Sequence, residues 1–147
     1  MFRLSRGSEY AIRGMLHLAL QPQGKISFID EISAAQKVPR AYLAKIFQTL
    51  TKKGFLRSVR GPGGGFALRK DPAEITLLDV IEAMEGEISL NECLIHAGYC
   101  EMDSICPVHD IWREAQARFL EFLSECDFSK LAESARLKAK RVKDAAK

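Results

Sequence analysis

Apolar positions in the first fifty residues recur at spacings of three and four, a helical period, and breaks in the pattern divide it into three runs. Ile12, Met15, Leu16 and Ala19 share one face of a first helix over about residues 8–20. Gln21-Pro22-Gln23-Gly24 stops it, because proline cannot continue the ladder and glycine favours a turn. Ser27, with Asp30 three residues on, predicts a capping box that opens a second helix carrying Phe28, Ile32 and Ala35 inward. Val38-Pro39-Arg40 breaks that helix, and a third follows over about residues 40–53, burying Leu43, Ile46, Phe47 and Leu50 before Gly54 ends it. Two short helices joined by a tight turn, the second strongly basic, read as a helix-turn-helix.

Beyond Gly54 the period changes. Residues 55–60 and 66–69 are short β-prone runs around Gly61-Pro62-Gly63-Gly64-Gly65, which predicts a hairpin, the wing of a winged helix-turn-helix. So glycine-rich a turn points to backbone approaching something closely and not to packing. A phosphate-binding loop is a poor fit, since no Lys-Ser or Lys-Thr pair follows and no helix starts there. Asp71-Pro72 reads as a linker, and Thr76 with Asp79 predicts a second capping box for a helix ending near Glu85. Residues 87–106 lack periodicity; a structureless stretch of that length in a small domain needs a reason. Pro107, favoured in a first helical turn, then starts a long helix to about residue 125. On it Val108, Trp112, Ala115, Phe119, Phe122 and Cys126 are spaced 4, 3, 4, 3, 4, a heptad seam too apolar for a solitary helix and read as a dimer interface. From Ser129 a short helix precedes a basic tail that frays.

The expected architecture is therefore mainly α. Residues 1–72 form a winged helix-turn-helix of three helices and a two-stranded wing. Residues 73–106 form a connecting helix and a cysteine-bearing loop, and residues 107–147 a dimerisation helix with its tail.

Composition narrows the function. The chain is 47% hydrophobic and 28% charged with a mean hydropathy of −0.10, and no apolar run reaches a membrane-spanning length. Residues 1–6 lead into an amphipathic pattern and not a signal-peptide core, so a soluble cytoplasmic protein with no membrane partner is expected. The net charge of +3 conceals an asymmetry: residues 1–70 hold 13 Lys and Arg against 3 Asp and Glu, residues 71–147 the other 9 against 16. A basic half joined to an acidic half is the footprint of one half meeting phosphates.

The partner expected is double-stranded DNA. Pro39, Arg40, Ala41 and Tyr42 sit at the end of the third helix that reaches base edges in this motif; Arg40 suits a bidentate pair to guanine, and Tyr42 and Lys45 suit phosphates equally well. In the wing, Arg57, Arg60 and Arg69 surround Gly61, Gly63 and Gly64, a shape suited to laying a cation in a narrow minor groove. No nucleotide fingerprint, no nucleophile–base set and only three histidines are present, which argues against an enzyme and against a small-molecule substrate.

The aperiodic loop carries Cys93, Cys100 and Cys106 at spacing C-x6-C-x5-C, with His109 three residues further on. In a cytoplasmic chain such a group points to metal rather than disulfide. Cys106 lies at a helix N-terminus, where free amides favour a thiolate. Three cysteines and a histidine suit tetrahedral zinc, although zinc motifs usually bring ligands in tighter pairs; a long loop with separated thiolates suits a larger object. Spacing alone leaves both zinc and an iron–sulfur cluster open. His96 is expected in solvent, and Cys126, on the seam, as a small hydrophobe.

The segments Tyr42 to Phe47, Gly54-Phe55-Leu56, Ser58 to Phe66 and Ile75 to Gly86, with Arg3-Leu4-Ser5 and Glu9-Tyr10-Ala11 at the start, resemble the Rrf2 family of bacterial regulators over roughly residues 1–125. The resemblance implies a transcription regulator working as a homodimer on a palindromic operator, with recognition helices about 34 Å apart. It also implies an iron–sulfur cluster, because cluster-sensing members carry three cysteines in this loop; their first interval is five residues, whereas here it is six. Histidine three after the last cysteine, followed by Trp112, resembles the family's [2Fe-2S] regulators of iron–sulfur assembly, which implies His109 as fourth ligand. The family's [4Fe-4S] nitric-oxide sensors use an acidic residue of the partner's first helix instead, a region that Glu9 matches. [2Fe-2S] with His109 is the favoured pairing, and a zinc-stabilised winged helix without sensing the alternative.

Overall fold

A computed structural model describes residues 2–147. Helix α1 (Arg6–Ala19) begins at Ser5, whose Oγ accepts the Ser8 N–H at 3.1 Å. It buries Ala11, Met15, Leu18 and Ala19, with Ile12 and Leu16 half-buried at the edge of that face. Gly14 lets it approach helix α3 (Arg40–Lys52): a Cβ there would lie 2.5 Å from the Phe47 ring, so a methyl would drive the two helices apart. The stripe Leu43, Ile46, Phe47 and Leu50 of α3 is fully in the core, as its spacing predicts.

Helix α2 (Ile29–Gln36) departs from the sequence reading. Ser27 does not cap it; the residue before the helix is Phe28, with no side-chain cap. Ser27 instead exchanges both backbone hydrogen bonds with Phe66, at 2.8 and 2.9 Å, adding a one-residue bridge to the wing. With Ser27 held extended, the helix starts later and its apolar face turns. Phe28 is 50% exposed and Ala35 also faces solvent, while Ile29 and Ile32 pack inward. Lys37 ends α2 in the left-handed region at φ 54°, and Pro39 opens α3, so the turn between the two helices is three residues long.

Strands β1 (Leu56–Val59) and β2 (Gly65–Leu68) pair antiparallel, with Leu56 opposite Leu68 and Val59 opposite Gly65. The glycines of the turn have a reason within the chain, contrary to the reading from composition. A Cβ on Gly64 would sit 2.3 Å from the Val59 carbonyl oxygen, and one on Gly65 2.2 Å from that of Ser27. The turn closes and docks only without side chains there.

Helix α4 (Leu77–Glu85) starts with the expected reciprocal capping by Thr76 and Asp79. Helix α5 (Pro107–Glu125) starts at Pro107. The short helix and frayed tail expected from Ser129 are a single helix, α6 (Phe128–Ala145), capped by Asp127. Phe128 and Ala132 of α6 enter the main core with α1, and the backbone of Ile75 and Leu77 bonds to Phe128 and Cys126. A second, smaller core joins α4 to α5 through Ile81, Ile88 and Leu123, covered by Phe2, Leu4, Phe119 and Leu120.

Glu85 ties the start of α1 to the end of α4: its Oε1 accepts the Ser8 hydroxyl at 2.5 Å and the Ser5 N–H at 2.8 Å. These hydrogen bonds, Ser8 first, hold the Glu85 carboxyl below its ordinary value of 4.5. Its folded pKa lies below the unfolded one, so its contribution is complete above the unfolded value and is lost as pH falls through the folded value. Denaturant midpoints measured at neutral pH and at a pH below the depressed folded-state value are expected to separate Glu85→Gln from wild type at neutral pH and to converge in acid. An equal gap at both would remove this account.

Candidate DNA-reading face and cysteine cleft

Helix α3 and the wing lie side by side, joined by the Phe47 and Phe66 rings, whose centroids are 5.1 Å apart edge to face. Arg40, Ala41, Tyr42 and Lys45 are exposed on α3, as are Arg57, Arg60, Gly61, Gly63 and Arg69 on the wing, while Gly64 is half-buried. The arginines are not equivalent. Arg40 donates from Nε to Asp30 Oδ1 at 2.5 Å, so α2 already holds the guanidinium at the mouth of the recognition helix. Arg57 reaches back to the Gly24 carbonyl at 3.3 Å. Two residues that spacing did not single out join the face: Arg6 and Tyr10 of α1 line a recess with Pro39 and Tyr42, and the two tyrosines meet edge to face at 5.5 Å. Arg13 stands over the Tyr10 ring at 5.8 Å.

The aperiodic loop folds over the first turn of α5. Cys93, which lies in a single 3₁₀ turn at residues 92–94, lines a cleft of about 150 Å³ with Cys100, Cys106 and His109. Asn91, Asp103, Val108 and Trp112 complete the wall. All four cysteines of the chain are free thiols. Cys106 is the residue before α5 and its side chain caps nothing, so its sulfur is not committed to the helix. Among the described residues no three Cys, His, Asp or Glu side chains close on one point as they would around a lone ion.

Asp103 is the residue that the sequence reading missed. Its Oδ2 accepts the Gly98 N–H at 3.0 Å, and its Oδ1 faces His109 Nδ1 at 3.4 Å. The pair is close but out of line for a hydrogen bond, and both atoms are buried without another partner. An unsatisfied buried polar atom costs about 1–3 kcal/mol, so the two together mark a place under tension. The signal in the sequence was an acid between the last two cysteines, three residues before Cys106.

Outside the cleft, His96 is exposed and Cys126 is half-buried at the end of α5. Glu9 is exposed on α1. Along α5, Val108, Ile111, Trp112 and Phe122 are exposed, Ile111 by 63% and Phe122 by 64%, and Ala115 is half-buried between them. Phe119 differs: its ring meets Phe2 of the same chain at 5.3 Å. Ile111 joins the exposed stripe although the heptad count passed over it.

A three-helix head with a basic recognition helix and a glycine-turned wing defines a winged helix-turn-helix regulator of transcription. The sequence profile of Rrf2, described as an iron-dependent transcriptional regulator, matches residues 4–134, and the chain belongs to the Rrf2 family. It is 36% identical over 129 residues to the HTH-type transcriptional regulator IscR of Photorhabdus laumondii, spanning 88% of this chain and 78% of that one. A putative HTH-type transcriptional regulator of Aquifex aeolicus is also 36% identical, over 77% of this chain and 79% of its own. Among solved structures, T. potens IscR superposes with a TM-score of 0.73 at 22% identity, over 91% of this chain and 88% of that one. CymR, the global cysteine regulator of B. subtilis, superposes at 0.72 and 25% identity, over 91% and 98%. These relatives are named as regulators, not enzymes, and DNA binding follows from the family. Among the described residues no helix is long and apolar enough to cross a membrane.

Proposed function

We propose that the protein is a homodimeric, cytoplasmic regulator whose affinity for a palindromic operator is set by an iron–sulfur cluster held in the cysteine cleft. The observation that carries this reading is the gathering of Cys93, Cys100, Cys106 and His109 around one cleft at the start of α5. The residues fit such a group: three free thiols and an imidazole line the same cleft. Thiols separated by six and five residues along a long loop suit a cluster better than a lone zinc ion, whose ligands usually come in tighter pairs. When bound, the cluster supplies a centre that responds to iron supply, oxidation or nitric oxide. A [2Fe-2S] form with His109 is favoured, since His109 lines the cleft and Glu9 lies on the exposed face of α1.

The chain's own residues supply the coupling. The loop leaves α4 through Ile88, which packs with Ile81 and Leu123 under Phe2 and Leu4. Glu85 holds Ser5 and Ser8 of α1, and α1 rests through Gly14 on Phe47 of the recognition helix. A change in loop order therefore has a packed route to the reading head. It shifts operator binding by as much as the two loop states differ in DNA affinity. Val108 and Trp112 wall the cleft and also stand on the exposed α5 stripe, which sets the spacing of the two heads once a second copy covers it.

The test is protein purified without oxygen, with iron and sulfide assayed and operator affinity measured before and after chelation. Iron and sulfide in matched amounts, with a changed affinity after removal, are expected. Stoichiometric zinc in colourless protein would overturn the cluster reading. On the same DNA, Arg60→Ala is expected to weaken binding and to flatten the log–log salt slope by about 0.9, one phosphate contact. An unchanged slope would move the contact away from the wing tip.

A further inference from the structure

His109 and Asp103 are the two residues of the cleft whose buried atoms lack partners, and they lack them toward each other. Their side chains are only 13% and 18% exposed. Neither atom has another protein group within hydrogen-bonding reach, so a small rotation of the ring or the carboxylate satisfies both at once. The loop fixes where the carboxylate stands: its second oxygen is committed to the Gly98 N–H, at a residue in the left-handed region, φ 80°.

An imidazole bearing its proton on Nδ1 keeps Nε2 as its acceptor, and a carboxylate on Nδ1 selects that form. We propose that Asp103 is a positioning residue for His109, holding the ring in the Nδ1–H tautomer with Nε2 as its metal-binding nitrogen. This rests on the reading of His109 as a ligand. Asp103 touches no metal in this role; it orients the ligand, as partners of metal-bound histidines commonly do. It also makes the loop and the helix two halves of one site. Asp103 comes from the segment between Cys100 and Cys106, and His109 from the first turn of α5.

The first measurement needs no cluster. Two-bond nitrogen–proton NMR correlations on the cluster-free full-length protein, taken on the neutral ring, report the tautomer of His109 directly. The expected result is the Nδ1–H form in wild type, the Nε2–H form in Asp103→Ala, and partial retention of Nδ1–H in Asp103→Asn, which keeps a carbonyl acceptor. An Nε2–H ring in wild type, or no change in Asp103→Ala, overturns the proposal.

The second measurement uses protein reconstituted anaerobically with ferrous iron and sulfide. Asp103→Ala is expected to lower cluster retention about 10- to 100-fold. In a His109→Cys background, which keeps a ligand but offers no ring to orient, the same change is expected to have little effect. Equal losses in both backgrounds would mean that Asp103 serves only to fold the loop through Gly98, and would overturn the proposal. Wild-type protein that takes up no iron or sulfide would defeat the ligand reading, while the tautomer experiment would still decide the Asp103–His109 contact.

Discussion

A variant carrying Ile111→Glu and Phe122→Glu is expected to sediment as a monomer and to bind its operator about 10²- to 10⁴-fold more weakly than wild type. Both side chains project from α5 into solvent in the single chain, and neither belongs to its cores. Exposed positions of that kind tolerate substitution within about 0.5 kcal/mol, so the melting of the isolated fold should hardly move. The position of the charges decides the effect. Val108, Ile111, Ala115 and Phe122 run along a 19-residue helix, about 28 Å long, and two carboxylates on that stripe would have to be desolvated without partners if a second copy covered it. The affinity loss follows from mass action. Two heads on one dimer give the second binding event a high effective concentration, which a monomer forfeits. Sedimentation equilibrium and an operator titration at one fixed salt concentration check both halves. A variant that stays dimeric would place the interface elsewhere, and one that turns monomeric yet keeps its affinity would show that the two heads do not act together.

Elements whose signals lie within a few residues were legible in the sequence. The capping pair Thr76 and Asp79, Pro107 at the start of α5, the α3 stripe and the two strands around the glycine turn all depend on near neighbours. Errors arose where a distant partner decides. Ser27 has the appearance of a cap, but Phe66, far along the chain, holds it as a strand residue and thereby turns Phe28 and Ala35 outward. The basic end of the chain reads as a tail that frays, yet it continues one helix, α6. The helix is anchored at its start by Phe128 and Ala132, whose pocket on α1 is invisible locally. Phe119 fits the heptad count, yet Phe2 meets it from the other end of the chain. In the cleft, the cysteines announced themselves by type and spacing. Asp103 did not, because a carboxylate in a polar loop is ordinary until burial leaves it facing an imidazole.

Changing Cys93, Cys100 or Cys106 singly to alanine is expected to abolish the visible absorption of anaerobically purified protein, whereas Cys126→Ala retains it. The contrast is built into the fold: three thiols line the cleft, and Cys126 lies at the far end of α5, where its carbonyl accepts the Leu77 N–H. A cluster bound by four protein ligands loses both charge balance and anchorage with one thiolate gone, and the loop has no fourth cysteine to substitute. The three variants should fold, since each thiol is only half-buried and makes no disulfide, so circular dichroism is expected to match wild type. Adding Glu9→Gln and His109→Ala to the set assigns the remaining ligand. A changed spectrum in His109→Ala with an unchanged one in Glu9→Gln is the outcome the cleft favours. The reverse would move the fourth ligand to α1 of a second copy and join dimerisation to cluster binding directly. Colour retained in all three loop variants would leave the cleft without its proposed occupant.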